Sequence, residues 1–159
     1  MSVLLTPPLE DAIRQFLGAR GATPCLLLVT PDVVRLERVA ADLDLVYGWP
    51  RLSVGGGLSA ALLHEPPARY PDVAATWLQE CTGEHQPGPA LLTEIDLLFE
   101  PALRLDPLAL LRRTSRTVRL FVAWPGSYAG DVLRYGAPGH AHYRLHAWSR
   151  PDVRIAQLD

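Results

Sequence analysis

The chain has 159 residues with 15 basic side chains against 17 acidic ones, and every one of the 15 is arginine. Without lysine there is no lysine Schiff base, no Ser-Lys pair and no P-loop lysine to bind phosphate. A formal net charge of -2 offers no global attraction to nucleic acid or anionic lipid.

A composition of 48% hydrophobic and 20% charged residues suits one globular domain over residues 1–159. Cys25 and Cys81 lie far apart with no Cys-x-x-Cys, which suggests neither a zinc ribbon nor a disulfide framework. The N-terminus lacks a basic start, and no apolar run approaches the roughly 18 residues of a membrane span. The expectation is a cytoplasmic protein with no membrane partner.

Thr6-Pro7-Pro8 followed by Leu9, Ile13, Phe16 and Leu17 predicts an N-terminal amphipathic helix over about 7–18, behind a Thr cap and a first-turn proline. Cys25-Leu26-Leu27-Leu28-Val29 is a fully apolar run between turn residues, as in a strand buried on both faces of a parallel sheet. Thr30-Pro31-Asp32 repeats the Thr-cap and Pro signal, with Val33, Leu36, Val39, Ala40 and Leu43 at helical spacing behind it. Leu45-Val46-Tyr47 and Leu52-Ser53-Val54 are strand candidates, and Gly55-Gly56-Gly57 leads into a helical stretch from Leu58 to His64.

Pro71-Asp72 opens a helix through Val73, Trp77 and Leu78, and residues 83–89 read as a loop. Ala90 to Leu92 with Ile95, Leu97 and Leu98 reads as a second buried strand with acidic residues at its end. Asp106-Pro107 caps a helix through Leu108, Leu111 and Arg112, and Val118 to Ala123 forms the next strand. Tyr143 to Leu145 and Val153 to Ile155 alternate as edge strands do.

This alternation predicts an α/β fold: three layers, a mostly parallel sheet of about five strands, and helices on both faces. Ligands of such sheets sit outside the carboxyl ends of the strands, which directs attention to Thr30 to Val34, Thr93 to Asp96 and Trp124 to Tyr128.

Several short stretches then occur in order: Leu91-Leu92-Thr93-Glu94-Ile95-Asp96-Leu97-Leu98-Phe99-Glu100-Pro101, Asp106-Pro107-Leu108, Val122-Ala123-Trp124-Pro125-Gly126, and Tyr135-Gly136-Ala137-Pro138-Gly139-His140 with Tyr143-Arg144. Over roughly residues 90 to 148 the chain resembles the BrxF family, small P-loop proteins of type 3 bacteriophage-exclusion (BREX) defence systems. The resemblance implies a P-loop NTPase-like, RecA/AAA-like core that works beside a large ATPase, an adenine methyltransferase, a helicase and a phosphatase-domain protein.

The family's Walker A pattern, Gly-x-x-x-x-Gly-Lys-Ser/Thr, belongs after the first buried strand. Gapless placement puts Thr30 at the first glycine, Arg35 at the second, Leu36 at the lysine and Glu37 at the Ser/Thr. None of the four matches. The glycines let backbone N–H groups wrap the phosphates, the lysine holds their charge and the hydroxyl holds magnesium. Glu37 would instead repel them. A shifted register with Arg35 as the phosphate cation leaves no glycine loop, and Pro31 removes an N–H donor. Thr93 stands where such proteins place the magnesium-associated Asp, with Glu94 and Asp96 displaced along the chain.

Other constellations have two readings each. Gly55-Gly56-Gly57 with Ser59 is either an anion-binding helix start or a turn. His140, His142 and His146 are either loop histidines or ligands, with Cys81, Asp131 or Asp152 as a fourth. Arg112, Arg113, Arg116 and Arg119 are either a solvated helix C-terminus or a contact for DNA or a phosphate-bearing partner. Trp124, Tyr128 and Tyr135 are expected to shape a surface for another protein.

The function expected is a non-catalytic interaction subunit of a BREX-type complex, with a vestigial nucleotide site at Thr30, Asp32, Arg35, Glu94 and Asp96 and no cofactor or metal. One alternative is a subunit that binds ATP and magnesium, or hydrolyses ATP weakly, through Arg35 and Glu94. The other is a DNA-contacting accessory protein that uses the arginine cluster.

Overall fold

A computed structural model describes residues 7–18, 24–85, 89–130, 132–136, 144–147 and 153–158. Helix α1, Pro7–Gly18, buries Leu9, Ile13 and Phe16 on one stripe. Strand β1, Cys25–Thr30, is buried at all six positions. Each leucine fully removed from water there contributes about 1.5–3 kcal/mol, so this apolar run fixes the centre of the sheet.

Helix α2, Val33–Tyr47, starts at once, capped by Asp32. The sequence pointed to Thr30 as the cap. The Thr30 hydroxyl instead accepts the Asp32 N–H at 3.2 Å, and the Asp32 carboxylate caps the helix. Leu45, Val46 and Tyr47 form the exposed last turn of α2, not a strand. The stripe of Leu36, Val39, Ala40 and Leu43 carries the helix past them. Gly48 then ends it at φ 72°, a left-handed conformation that glycine adopts without penalty.

Strand β2, Arg51–Ser53, is followed without a loop by α3, Val54–Leu62. Helix α4, Tyr70–Gly83, precedes β3, Ala90–Thr93. The expected continuation of β3 through Leu98 is replaced by a 3-10 turn, Ile95–Phe99, that buries Ile95, Leu98 and Phe99. Helix α5, Pro107–Ser115, is capped by Asp106, whose carboxylate accepts the Ala109 N–H at 3.1 Å. Strand β4, Leu120–Ala129, is longer than the run that announced it, and β5, Val132–Tyr135, β6, Arg144–Ala147, and β7, Val153–Gln157, follow.

Among the described residues the strands form one seven-stranded sheet. Its parallel part has the order β2-β3-β4-β1-β7; β5 pairs antiparallel with the far half of β4, and β6 pairs antiparallel with β5. The sequence anticipated about five strands, with an edge strand at Tyr143 to Leu145 that overlaps β6, and missed β5. The handover falls at Trp124-Pro125-Gly126. Pro125, opposite Thr30, is the last β4 residue paired with β1, and Gly126 is the first paired with β5. Proline lacks the N–H for a further ladder bond, so it suits a strand that is changing partners. At Gly126 a Cβ would lie 1.8 Å from the Arg134 carbonyl, so only glycine permits this close crossing.

Alternation along the strands divides the core into two layers. Cys25, Leu27 and Val29 of β1 pack with α3, α4 and α5, whereas Leu26 and Leu28 face α1 and α2. The three-layer α/β architecture with helices on both faces is therefore present. Among the described residues, no helix is long and apolar enough to cross a membrane.

Candidate functional site

The carboxyl end of β3, the turn after it and β4 at Ala123 and Pro125 meet the first turn of α2 around a cavity of about 120 Å³. Val33, Leu36, Ile95, Ala123 and Pro125 give it an apolar wall. Thr93 and three carboxylates, Glu37, Glu94 and Asp96, complete the lining. This is where an open parallel sheet receives ligands. The volume falls below the roughly 300–1,000 Å³ of pockets for small molecules of drug or nucleotide size.

Each element delivers its side chain for a local reason. Asp32 has extended backbone and its carboxylate accepts the Arg35 N–H at 3.1 Å, so an anionic group already occupies the N-terminal pole of α2. Leu36, aligned with the family's lysine, is 4% exposed and belongs to the core beneath α2. Glu37 lies beside it on the solvent side and reaches the cavity. Arg35 is half-buried outside the cavity wall, and its Nε is buried without a hydrogen-bond partner. Sequence reasoning brought Thr30, Asp32, Arg35, Glu94 and Asp96 to one end of the sheet. Of these, Glu94 and Asp96 line the cavity.

Glu94 is held by two contacts with the start of α3. Its carboxylate accepts the Ser53 hydroxyl at 2.5 Å, and its carbonyl accepts the Gly55 N–H at 3.0 Å. Ser53 Oγ in turn accepts the Gly56 N–H at 3.1 Å as the cap of α3. Glu94 adopts φ 52°, a left-handed conformation costing about 1–3 kcal/mol for a residue with a Cβ, and these contacts hold it there.

The glycines read as an anion-binding turn lie within α3. Gly55 packs on the Glu94 carbonyl and Gly57 packs under the Trp77 ring, where a Cβ would come within 2.3 Å of Cζ2. Their smallness serves these approaches, and the carboxylate of Glu94 already stands at the helix start. Ser59 is exposed and its hydroxyl donates to the Gly56 carbonyl at 3.1 Å. Ser53 escaped notice because the three glycines after it suggested a turn. A Ser three residues before a backbone N–H in need of a cap was the available signal.

Asp96 meets a residue 39 positions away, the hydroxyl of Tyr135. Tyr135 stacks on Phe99 at 3.5 Å between ring centroids and 4° between planes, and Trp124 meets both rings edge-on. Trp124 Nε1 donates to the Arg134 carbonyl at 2.9 Å. Asp96, Phe99, Trp124 and Tyr135, drawn from three of the stretches that carry the family resemblance, thus form one cluster behind the cavity. The expectation that Trp124 and Tyr135 shape a contact surface is corrected, since they are 0% and 1% exposed. Burial, then the hydrogen bond to Asp96 and its charge, hold the Tyr135 phenol well above its ordinary range. Tyr128 is half-buried, and its carbonyl accepts from Gln157 at 2.7 Å.

The arginine group is divided by the fold. Arg119 Nη1 donates to the carbonyls of Phe16 at 3.2 Å and Leu17 at 2.8 Å, and its guanidinium lies over the Phe16 ring at 5.8 Å. It caps the C-terminus of α1, where a cation complements the dipole. Arg113 and Arg116 are exposed and Arg112 is half-buried around the end of α5.

Among the described residues, no three His, Cys, Asp or Glu side chains come together to hold a metal ion. His140, His142, Asp131 and Asp152 lie outside the described residues, as does the side chain of His146. Neither Cys25 nor Cys81 is in a disulfide. Burial first, then Glu84 and Glu80, push the Cys81 thiol up, which disfavours the thiolate that binds metals or attacks substrates. The chain matches no protein-family model, no curated protein and no solved structure.

Proposed function

We propose that this protein is a non-catalytic interaction subunit of a bacteriophage-exclusion complex, built on a P-loop NTPase-like core whose nucleotide site has been converted to other use. The observation that carries the reading is the Asp32 carboxylate at the N-cap of α2. In a P-loop that position is open, and a row of backbone N–H groups there cradles phosphate. Here the pole is occupied by an anion, α2 begins two residues after β1 with no glycine loop, and Glu37, Glu94 and Asp96 surround the space beyond. Every one of these carboxylates repels a triphosphate.

Two further features support the family part of the proposal. The parallel order has β4 between β1 and β3, which differs from both common doubly-wound orders and agrees with the RecA/AAA-like core the resemblance implies. The resemblance stretches also converge on the Asp96–Tyr135 cluster, so their co-occurrence has a physical basis in one packed unit.

Calorimetric titration with magnesium and ATP tests the catalytic half: no binding is expected at micromolar nucleotide. Micromolar binding that Arg35→Ala abolishes would overturn the proposal in favour of an ATP-binding subunit. For the pathway half, the chromosomal neighbours are expected to encode a methyltransferase and a phosphatase-domain protein, and their absence counts against the defence assignment.

A further inference from the structure

We infer that the cavity between α2 and the ends of β3 and β4 is a receptor for a single arginine side chain presented by a protein partner. This inference rests on the proposal that no nucleotide occupies the site. The wall contributed by Val33, Leu36, Ile95 and Ala123 is apolar, and about 120 Å³ is the scale of one long side chain rather than of a nucleotide. An aliphatic stem laid on such a wall leaves its charged head at the rim.

The rim selects the sign of that head. Glu37, Glu94 and Asp96 line it, and no arginine or histidine among the described residues does. The three carboxylates do not converge tightly enough to form a metal site among the described residues. The matching cation is therefore extended and carries several donors on separated atoms. Guanidinium has five N–H donors in a planar fork, matches carboxylates in pairs and sheds water more readily than ammonium, so arginine fits better than lysine. Glu94 is fixed for the role by Ser53, and Asp96 by Tyr135, so two of the three acceptors are already oriented before the partner arrives.

The test uses the full chain, with backbone amide NMR spectra recorded during titration by N-acetylarginine methylamide and, separately, by its lysine counterpart. Saturable shifts are expected at Leu36, Glu94 and Asp96 with millimolar arginine probe, and weaker binding by lysine. Glu37→Gln and Glu94→Gln are each expected to weaken binding about tenfold. The amide introduced by Glu94→Gln keeps an acceptor for the Ser53 hydroxyl, so the α3 cap survives. Glu84→Gln, at the far end of α4, is the neutral control and leaves the affinity unchanged.

Absence of saturable shifts at these three amides overturns the inference, as does equal binding of the lysine probe unaffected by either substitution. A concentration-dependent dimer dissolved by Glu37→Gln would replace the partner with a second copy of this chain. Shifts at the same amides with magnesium and ATP would refute the non-nucleotide reading instead, a separate outcome from failure of the arginine probe.

Discussion

The Asp32 carboxylate accepts the backbone N–H of Arg35 at 3.1 Å, and this bond closes the one end of α2 through which a phosphate would be held. The same bond stabilises the helix by satisfying a donor with no partner inside it. Asp32→Ala is therefore expected to destabilise the protein by about 1 kcal/mol, read as a urea midpoint shift at unchanged slope. Asp32→Ser, which restores a capping oxygen without charge, is expected to recover most of that loss. A variant that gains micromolar ATP binding with either change would mean that Asp32 alone closes the site, contrary to the part assigned to Leu36 and Glu37.

Gly57 separates the packing account of the glycine triplet from a phosphate-loop account. A Cβ there would lie 2.3 Å from Trp77 Cζ2, so Gly57→Ala forces the indole to move. Overpacking costs about 1–3 kcal/mol, and the better helix propensity of alanine offsets up to about 1. Net destabilisation of about 1–2 kcal/mol is expected in thermal or urea unfolding. Gly83→Ala, with no atom within 4 Å of the added Cβ, is expected to be neutral or slightly stabilising. Equal effects at the two sites would remove the packing explanation.

Much of this fold is written in patterns that a single segment carries by itself. The apolar run of β1, the α2 stripe of Leu36, Val39, Ala40 and Leu43 and the Asp106-Pro107 cap of α5 are each dictated within a few neighbours and formed as expected, although Thr30 joins the strand and Val33, expected on the stripe, is 54% exposed. Features set by distant partners were illegible. Nothing near Ser53 announces that Glu94, 41 residues on, will accept its hydroxyl, and nothing near Trp124 reveals that β5 will cover it. The left-handed turn at Glu94 also defied local rules, because a non-glycine residue adopts it only when tertiary contacts compensate. At the candidate site, the absence of lysine was plain from composition, whereas the misfit of Leu36 and Glu37 was an expectation that rested on the resemblance. The apolar cavity needed β3, β4 and the first turn of α2 in place.

Trp124 is a core residue whose indole meets Phe99 and Tyr135 and whose Nε1 donates to the Arg134 carbonyl at 2.9 Å. Trp124→Ala is expected to cost about 3–5 kcal/mol and Trp124→Phe about 1–3, the latter from the unpaired carbonyl and the smaller ring. Chemical unfolding measures both. A surface role in partner binding predicts the opposite pattern, with loss of binding and almost no loss of stability.

Tyr135 makes stability depend on alkaline pH in a direction that its surroundings fix. Burial and the Asp96 carboxylate raise the phenol above its ordinary value of about 10, so the folded protein keeps a proton that the unfolded chain releases. Below pH about 10 both states are protonated and the contribution is fully present. As pH climbs beyond that, the unfolded state alone loses the proton, and stability falls by about 1.4 kcal/mol per pH unit until the folded phenol itself ionises. Tyr135→Phe is expected to flatten this part of the stability profile. The ultraviolet titrations of the folded protein and of Tyr135→Phe should correspondingly coincide up to pH about 11, and a tyrosinate lost from that range by the substitution would show that burial and Asp96 do not hold the Tyr135 proton.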